Sequence, residues 1–314
     1  MRLDRSDQTD RTDPSDPAIC ECCPKAQHMS VFDFTEDQIQ RYSRHILLPE
    51  VDVHGQEKLL KASVLVIGAG GLGSAALLYL AAAGVGHVGV ADRDCVELSN
   101  LQRQVLYSTR DVGRRKAAAA RRLLRSLNPD CRVTAYPGKL SAEKLTTVMR
   151  GYDLVLDCSD NFPTRFLVSD CAFFQHKPLV TAAVVRFDGQ LMAVLPGDGN
   201  PCYRCFVPEP PPSTMTSCQQ AGVLGAVPGV LGSLQAVETI KLIVGKGETM
   251  AHRLLLYDAL SGTFRIVARK PNPHCPLCGS NPSITEPIEY KDKCCPGGQC
   301  FTDDECCADD ECCS

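Results

Sequence analysis

The spacing of hydrophobic and polar residues changes along the chain and divides it into segments of different predicted structure. In the first patterned segment, Thr35 and an acidic turn precede apolar residues at helical spacing, which predicts a helix that ends before Pro49. From Val64 onward, short apolar runs alternate with helix-length segments. The predicted strands are residues 64–67, 88–91, 132–136, 153–157 and 179–185, and the predicted helices are residues 72–83, 113–126, 142–149 and 163–176.

This alternation predicts the fold class. Strands separated by helices form a parallel sheet with helices on both faces, so we expect an α/β, Rossmann-like fold with a mostly parallel central sheet and an N-terminal helical arm. After Pro196 the pattern predicts a Cys- and Pro-rich loop, a helix of small residues and two late strands, at residues 201–212, 226–244, 253–257 and 263–268.

The same changes in pattern predict the domain organisation. We expect a disordered leader (1–30) and one folded domain (31–290), followed by a Cys-rich acidic tail (291–314). Within the folded domain, a nucleotide-binding half (31–196) precedes a second part (197–290) that carries paired cysteines.

Composition and charge narrow the class of protein. Hydrophobic residues make up 44% of the 314 residues and charged residues 22%, which excludes a wholly disordered or fibrous chain. The net charge of −4 argues against a protein that coats nucleic acid or anionic lipid. No signal peptide is evident, and no apolar run reaches the roughly 18–20 residues that cross a bilayer. Ten of the 19 cysteines lie in residues 1–30 and 291–314, so the middle has the cysteine content of a soluble cytoplasmic protein.

The strongest local motif is a glycine-rich turn after the first predicted strand. Gly68, Gly70 and Gly73 form Gly-x-Gly-x-x-Gly with Gly71 between them, and Asp92 ends the next strand 19 residues after Gly73. Such a turn lets the backbone approach a phosphate, and an acid at this distance accepts hydrogen bonds from ribose hydroxyls. The alternative is a turn that only permits close helix–strand packing. The motif does not distinguish among NAD, FAD and ATP.

Cations after the second strand favour a triphosphate over a dinucleotide. Arg103 and Lys116 supply charge that a nucleoside triphosphate with its magnesium requires, although isolated cations are more often solvated. Asp160 follows the strand predicted at 153–157, at the edge of the sheet where α/β folds bind ligands. We expect it to hold Mg²⁺, to cap the next helix, or to do both.

The remaining candidate functional residues are cysteines, as metal ligands or as a nucleophile. Two pairs of cysteines have x₂ spacing: Cys202 with Cys205, and Cys275 with Cys278. Together they offer four thiolates to one structural zinc ion, which would hold the C-terminal region to the rest of the domain. The alternative is that a pair serves thiol exchange. Cys218 stands alone in a loop before the small-residue helix. It is either a nucleophile or a plain loop thiol, and no base is evident.

Together these motifs resemble the ThiF/HesA/MoeB superfamily, the bacterial relatives of ubiquitin-activating enzymes. The resemblance rests on RYSRH, GAGGLG, DRDCVELSNLQRQ, GRRK and DCSDN in that order, followed by the two CxxC pairs, and it covers residues 34–281. It implies that ATP activates the C-terminal Gly-Gly carboxylate of a ubiquitin-like sulfur-carrier protein as an acyl-adenylate, with release of pyrophosphate.

The resemblance also implies roles for single residues. Asp92 would bind ribose, Asn100, Arg103, Gln104 and Lys116 would lie near the phosphates, Asp160 would bind magnesium, and the four paired cysteines would bind zinc. Arg44 would reach the nucleotide of the other subunit in a homodimer. Cys218 would form a thioester or persulfide.

The resemblance leaves the pathway open. We predict a carrier of the molybdopterin-synthase type, in molybdenum cofactor biosynthesis. A carrier of the thiamine pathway is the alternative within this superfamily. An NAD-binding dehydrogenase or sensor is the alternative from a different class of protein. Only 24 residues follow Tyr290, so the sulfur donor, a cysteine desulfurase or a rhodanese, is expected in trans. The tail is either a disordered extension or a carrier of metal or persulfide sulfur.

Overall fold

The structure is a computed structural model that describes residues 33–211 and 222–290. The predicted leader, the predicted tail and Cys218 lie outside these residues.

One eight-stranded sheet organises the fold, in the order β3-β2-β1-β4-β5-β6-β7-β8. The pairings from β3 through β5 are parallel, and those from β5 through β8 are antiparallel. The strands are β1 (Ser63–Ile67), β2 (His87–Asp92), β3 (Arg132–Pro137), β4 (Leu154–Asp157), β5 (Leu179–Val185), β6 (Asp188–Val194), β7 (Arg253–Asp258) and β8 (Thr263–Ala268).

Helices cover both faces of this sheet and divide the core in two. The helices are α1 (Glu36–Ile46), α2 (Asp52–Lys61), α3 (Gly71–Ala82), α4 (Lys116–Leu127), α5 (Ala142–Met149), α6 (Phe162–Phe174) and α7 (Ala226–Val244). One core cluster lies among α3, α4, α7 and the sheet, and the other lies among α5, α6, the sheet and the paired cysteines. The α/β, mostly parallel fold predicted from the sequence is confirmed.

Helix α2 and strand β6 were not predicted from the sequence. Helix α2 carries the buried Gly55 and Gln56 on its inner face, where an amphipathic helix would carry apolar residues. Strand β6 continues the apolar pattern of β5 after only Arg186 and Phe187, because Val185 pairs with Asp188 in an antiparallel hairpin. Arg186 has a φ of 55°, a conformation for which Gly or Asn is the usual sequence signal.

Helix α7 is long and apolar enough, by length and composition, to cross a membrane, and it is the one such helix within 33–211 and 222–290. Half of it is buried inside the protein, where it packs against α3, β5 and β6. Its apolar character is accounted for by this central position in the core.

Candidate nucleotide site and cysteine cluster

A cavity of about 510 Å³ opens at the carboxyl ends of β1, β2 and β4. This is the edge of the sheet where open α/β folds bind ligands. Nine of the residues predicted for the nucleotide site line it, namely Gly68, Gly70, Gly71, Asp92, Asn100, Arg103, Gln104, Lys116 and Asp160. Residues separated by more than 90 positions in the chain therefore meet around one space.

The glycine turn requires glycine for two different reasons. Gly68 has a φ of 94°, and a Cβ there would lie 2.7 Å from the carbonyl oxygen of Cys158. A Cβ on Gly73 would lie 2.0 Å from the carbonyl oxygen of Gly68, so α3 starts in direct contact with the turn. Gly73 does not line the cavity but supports the turn from behind. The first residues of α3, Gly71 and Leu72, line the cavity, and backbone N–H groups at a helix N-terminus favour an anion there.

Asp92 lies at the end of β2 and is tied to the glycine turn. Its carboxylate accepts hydrogen bonds from the backbone N–H groups of Ala69 and Asp94, both at 2.8 Å. Burial raises the pKa of Asp92 above its ordinary value, and the positive charge of Lys116 opposes that shift. The contacts fix the carboxylate at the cavity wall, where it can also accept hydrogen bonds from a ligand.

Lys116 begins α4 with its side chain buried at the cavity. Its ammonium lies 2.9 Å from the Asp94 carboxylate. The Tyr107 hydroxyl lies 3.0 Å from the carbonyl oxygen of Ala69 and 3.3 Å from that of Lys116. Burial raises the pKa of Tyr107 far above its usual range, so the phenol stays protonated and can donate. Tyr107 thus joins the glycine turn to the residue that carries the cation.

A short 3₁₀ segment presents the remaining polar residues of this wall. Asn100 ends it, and its side-chain oxygen accepts from the Glu97 N–H at 3.3 Å. Arg103 donates from Nη1 to the Ser99 carbonyl at 3.1 Å. Gln104 is buried, and its Oε1 has no hydrogen-bond partner among the residues that the structure describes. A buried acceptor without a partner is unusual and indicates a place for a ligand donor.

The loop after β4 forms another wall of the cavity. Asp160 is exposed at the cavity, and the cap of α6 is Asn161, whose side chain accepts from the Thr164 N–H at 2.8 Å. The suggestion that Asp160 itself caps this helix was wrong, because the helix begins at Phe162 and the residue before it, Asn161, is its cap. Asp160 is therefore not engaged as a cap.

A buried ion pair supports the loop that carries Asp160. Asp157, fully buried, accepts from Arg165 Nε at 3.1 Å and from Thr181 Oγ1 at 2.7 Å. Arg165 also donates to the carbonyl oxygens of Ser159 and Ala182. These contacts hold the β4–α6 loop against β5, so Asp157 acts within the wall and not towards a ligand.

Arg44 lies apart from this cavity. It is exposed on α1 and does not line the cavity of its own chain. Its predicted contact with another subunit stays a prediction.

The four paired cysteines meet in space as the sequence predicted. Their sulfur atoms lie within 4.8 Å of one another, with Cys202 3.4 Å from Cys275 and Cys205 3.3 Å from Cys278. A tetrahedral zinc ion with Zn–S bonds of about 2.3 Å places its sulfurs about 3.8 Å apart. The spacing and the all-thiolate donor set therefore fit one structural zinc ion.

Backbone N–H groups donate hydrogen bonds to these sulfur atoms. The N–H groups of Leu277 and Cys278 both donate to Cys275 Sγ at 3.5 Å, and that of Asn272 donates to Cys205 Sγ at 3.3 Å. Hydrogen bonds with neighbouring thiols, that with Cys202 first, lower the pKa of Cys278 to about 5. The hydrogen bond with Cys278 and burial raise the pKa of Cys202, so the cluster favours one thiolate, on Cys278, and a metal ion would stabilise the other three.

Four residues of the site were missed by sequence reasoning. Tyr107 and Arg165 act through contacts within the walls, and Glu289 and Tyr290 line the cavity from the far end of the folded region. No local motif marks any of them, although Tyr107 follows the SNLQRQ run closely enough to be a candidate.

Comparison with known proteins agrees with the fold and the cavity. The ThiF family profile matches residues 42–277. A relative from Thermus thermophilus named sulfur carrier protein adenylyltransferase is 50% identical over 266 residues, covering 83% of this chain and 98% of the relative. The Drosophila yakuba protein named adenylyltransferase and sulfurtransferase MOCS3 is 49% identical over 262 residues, covering 83% of this chain but 58% of that relative.

A solved structure shares the architecture. Escherichia coli MccB, in its crystal structure with ATP, is 25% identical with a TM-score of 0.66, over 76% of this chain and 74% of that chain. The α/β fold, its cavity and the relatives named adenylyltransferases together indicate an enzyme of the nucleotidyltransferase class. The chain belongs to the ThiF family.

Proposed function

We propose that this protein uses ATP to adenylate the C-terminal Gly-Gly carboxylate of a ubiquitin-like sulfur-carrier protein. The observation that carries the proposal is the meeting of Asp92, Arg103, Lys116 and Asp160 around the glycine turn in one cavity. Two acids and two cations at the N-terminus of α3 suit a nucleoside triphosphate with its metal. The named activity of the Thermus relative, which aligns along 98% of its length, supports the choice of reaction.

In the proposed reaction, the carrier carboxylate attacks the α-phosphorus of ATP in line. The bond between the α-phosphorus and the bridging oxygen breaks, pyrophosphate leaves, and the carrier becomes an acyl-adenylate. The protein needs to supply only positioning and charge neutralisation.

Each lining residue has a proposed role in that step. Asp92 binds the ribose hydroxyls, and the glycine turn approaches the phosphates. Lys116 and Arg103 neutralise phosphate charge, Asn100 donates a hydrogen bond beside them, and the unpartnered Oε1 of Gln104 accepts one from a donor of the nucleotide. Asp160 would hold Mg²⁺, which shields the charge of the leaving pyrophosphate when bound.

Three further assignments belong to the same proposal. Arg44 completes the nucleotide site of the other subunit in a homodimer. Cys218 attacks the acyl-adenylate with release of AMP, either as a thiolate that forms a thioester or as a persulfide, loaded by the sulfur donor, that forms an acyl disulfide. The four clustered cysteines hold a structural zinc ion, for which the donor set and the sulfur spacing are the support.

The wider setting is also a proposal. We infer that the carrier is of the molybdopterin-synthase type, that a cysteine desulfurase or rhodanese supplies sulfur in trans, and that the enzyme works in the cytoplasm. The MOCS3 relative is named as a sulfurtransferase too, but this chain covers only 58% of its length. A thiamine-pathway carrier is the alternative.

The direct test is isotope exchange. Incubating the protein with ATP, Mg²⁺, labelled pyrophosphate and a purified Gly-Gly carrier should move label into ATP only when the carrier is present. A carrier whose last glycine is deleted is the matched control, and it should support no exchange. Absence of exchange with both molybdopterin-type and thiamine-type carriers would overturn the proposal, and tighter binding of NAD than of ATP would favour a dehydrogenase or sensor.

A further inference from the structure

The segment after the second cysteine pair returns to the wall of the nucleotide cavity. Residues 279–290, here named the C-terminal strap, begin beside the cysteine cluster and end at the cavity, which Glu289 and Tyr290 line. The strap therefore connects the proposed zinc site to the proposed nucleotide site.

The start of the strap is held by the second cysteine pair. The Gly279 N–H donates to the Cys275 carbonyl at 3.0 Å, and the N–H groups of Ser283 and Ile284 both donate to the Pro276 carbonyl at 2.9 Å. A Cβ on Gly279 would lie 2.6 Å from the Cys275 carbonyl oxygen, so the chain turns closely around this pair. The direction in which the strap leaves is set by the geometry of that turn.

The end of the strap is held by the first cysteine pair. The Tyr290 hydroxyl accepts from Arg204 Nη2 at 3.1 Å, and Arg204 lies between Cys202 and Cys205. Arg204 is itself buried and forms two hydrogen bonds of 2.7 Å to the Asp170 carboxylate on α6. The Tyr290 ring also packs edge to face against Phe166, 5.6 Å between centroids. An ion that ties the two pairs together thus fixes both ends of the strap.

Glu289 and Tyr290 line the same cavity as the glycine turn but reach it from the other end of the folded region, beside the start of α5. Glu289 accepts a hydrogen bond from the Ala142 N–H in the first turn of α5. Apolar lining residues from the neighbouring elements, Leu140, Leu145 and Leu167, are found on this side. This part of the lining is mixed, because Lys139 and Glu289 stand beside these leucines, so a nucleobase would find apolar surface, an aromatic ring and polar partners here.

We propose that Glu289 and Tyr290 form part of the base-binding wall of the nucleotide cavity, and that the metal-loaded cysteine cluster holds this wall in place. The inference rests on the proposed function because it requires a nucleotide in the cavity. The zinc ion then affects nucleotide affinity as well as the stability of the fold, because loss of the ion releases the strap and weakens nucleotide binding.

The test measures ATP affinity by calorimetry, without carrier, on the full chain. With zinc bound, Tyr290→Ala and Glu289→Ala should each weaken ATP binding about fivefold to tenfold, with one zinc ion still present per chain. Glu286→Ala, which removes an exposed acid of the strap that does not line the cavity, is the matched control and should bind ATP as the unaltered protein does. Removing zinc with a chelator should weaken ATP binding of the unaltered protein and speed hydrogen exchange in residues 279–290.

The decisive comparison is zinc removal in the Tyr290→Ala variant. If the strap transmits the effect, removing zinc should weaken ATP binding by a smaller factor in the variant than in the unaltered protein. Equal factors would overturn the coupling, and unchanged ATP affinity of both zinc-loaded variants would overturn the base-binding wall even if the zinc-free protein unfolds. An unaltered protein that binds no ATP would overturn the proposed function together with this inference, whereas normal ATP binding by all variants would overturn the inference alone.

Discussion

The ammonium of Lys116 lies 2.9 Å from the Asp94 carboxylate at the wall of the nucleotide cavity. The lysine side chain is 7% exposed and the aspartate side chain 54%, so the cation is held at a defined place while its partner remains in contact with solvent. An arriving phosphate can share the ammonium or replace the aspartate as its partner. The pair thereby keeps the buried charge compensated when no nucleotide is bound.

Replacing Lys116 by alanine should abolish the proposed adenylation. Loss of a cation that is positioned beforehand to stabilise transition-state charge typically reduces turnover about 100-fold or more. Carrier-dependent exchange of pyrophosphate should fall by at least that factor for Lys116→Ala. Lys144→Ala, an exposed lysine on α5 away from the cavity, is the control and should exchange label normally. Exchange retained within threefold in Lys116→Ala would show that this cation has no part in the reaction.

The Tyr107 hydroxyl should affect nucleotide binding without touching the nucleotide. Its single proton is shared between the carbonyl oxygens of Ala69 and Lys116, so Tyr107→Phe removes the donor common to both and loosens the glycine turn from α4. We expect the KM for ATP to rise about fivefold, with kcat reduced by a smaller factor. Tyr79→Phe, which alters an exposed hydroxyl on α3, is the control. A KM equal to that of the unaltered protein would contradict the bridging role.

The glycine turn, its cations and the two cysteine pairs could be found in the sequence because each is a local pattern with a chemical reason for its spacing. Gly68 and Gly73 need the absence of a Cβ, and x₂ spacing lets two thiolates reach one ion. Seven of the eight strands and most helices could be predicted because buried positions in regular elements are apolar, which gives short apolar runs for inner strands and helical spacing for helices.

What could not be predicted depends on contacts between distant segments. Asp157 at the end of β4 accepts hydrogen bonds from Arg165 on α6 and from Thr181 on β5, which joins a helix to two strands. Tyr290 reaches Arg204 across 86 positions of the chain. Hairpin β5–β6 escaped because its two-residue turn, Arg186 and Phe187, carries none of the residues that mark such turns. In each case the fold brings the two contacting residues together, and nothing in a single sequence indicates which residues will meet.

Two glycines of α7, three positions apart, should respond oppositely to alanine. A Cβ on Gly232 would lie 2.2 Å from the carbonyl oxygen of Leu72 in α3, whereas a Cβ on Gly229 meets no atom within 4 Å. Gly232→Ala should destabilise the protein by about 1–3 kcal/mol because α3 and α7 must separate. Gly229→Ala should stabilise it by up to about 1 kcal/mol through helix propensity. Urea unfolding of both variants measures the difference, and similar midpoints would contradict the close packing of α3 on α7.

The cysteine cluster should bind one zinc ion per chain, and its loss should be distinguishable from loss of any buried thiol. Cys275→Ser should remove the metal from purified protein, because three thiolates leave one tetrahedral position without its sulfur ligand. The variant should also melt several degrees lower, because the loop that carries Cys202 is no longer tied to residues 275–278. Cys131→Ser changes a buried thiol in the other half of the core, whose pKa burial raises to about 12, and this variant should keep its zinc. Elemental analysis beside thermal unfolding decides the matter: zinc retained in Cys275→Ser, or no zinc in the unaltered protein, would contradict a four-thiolate site.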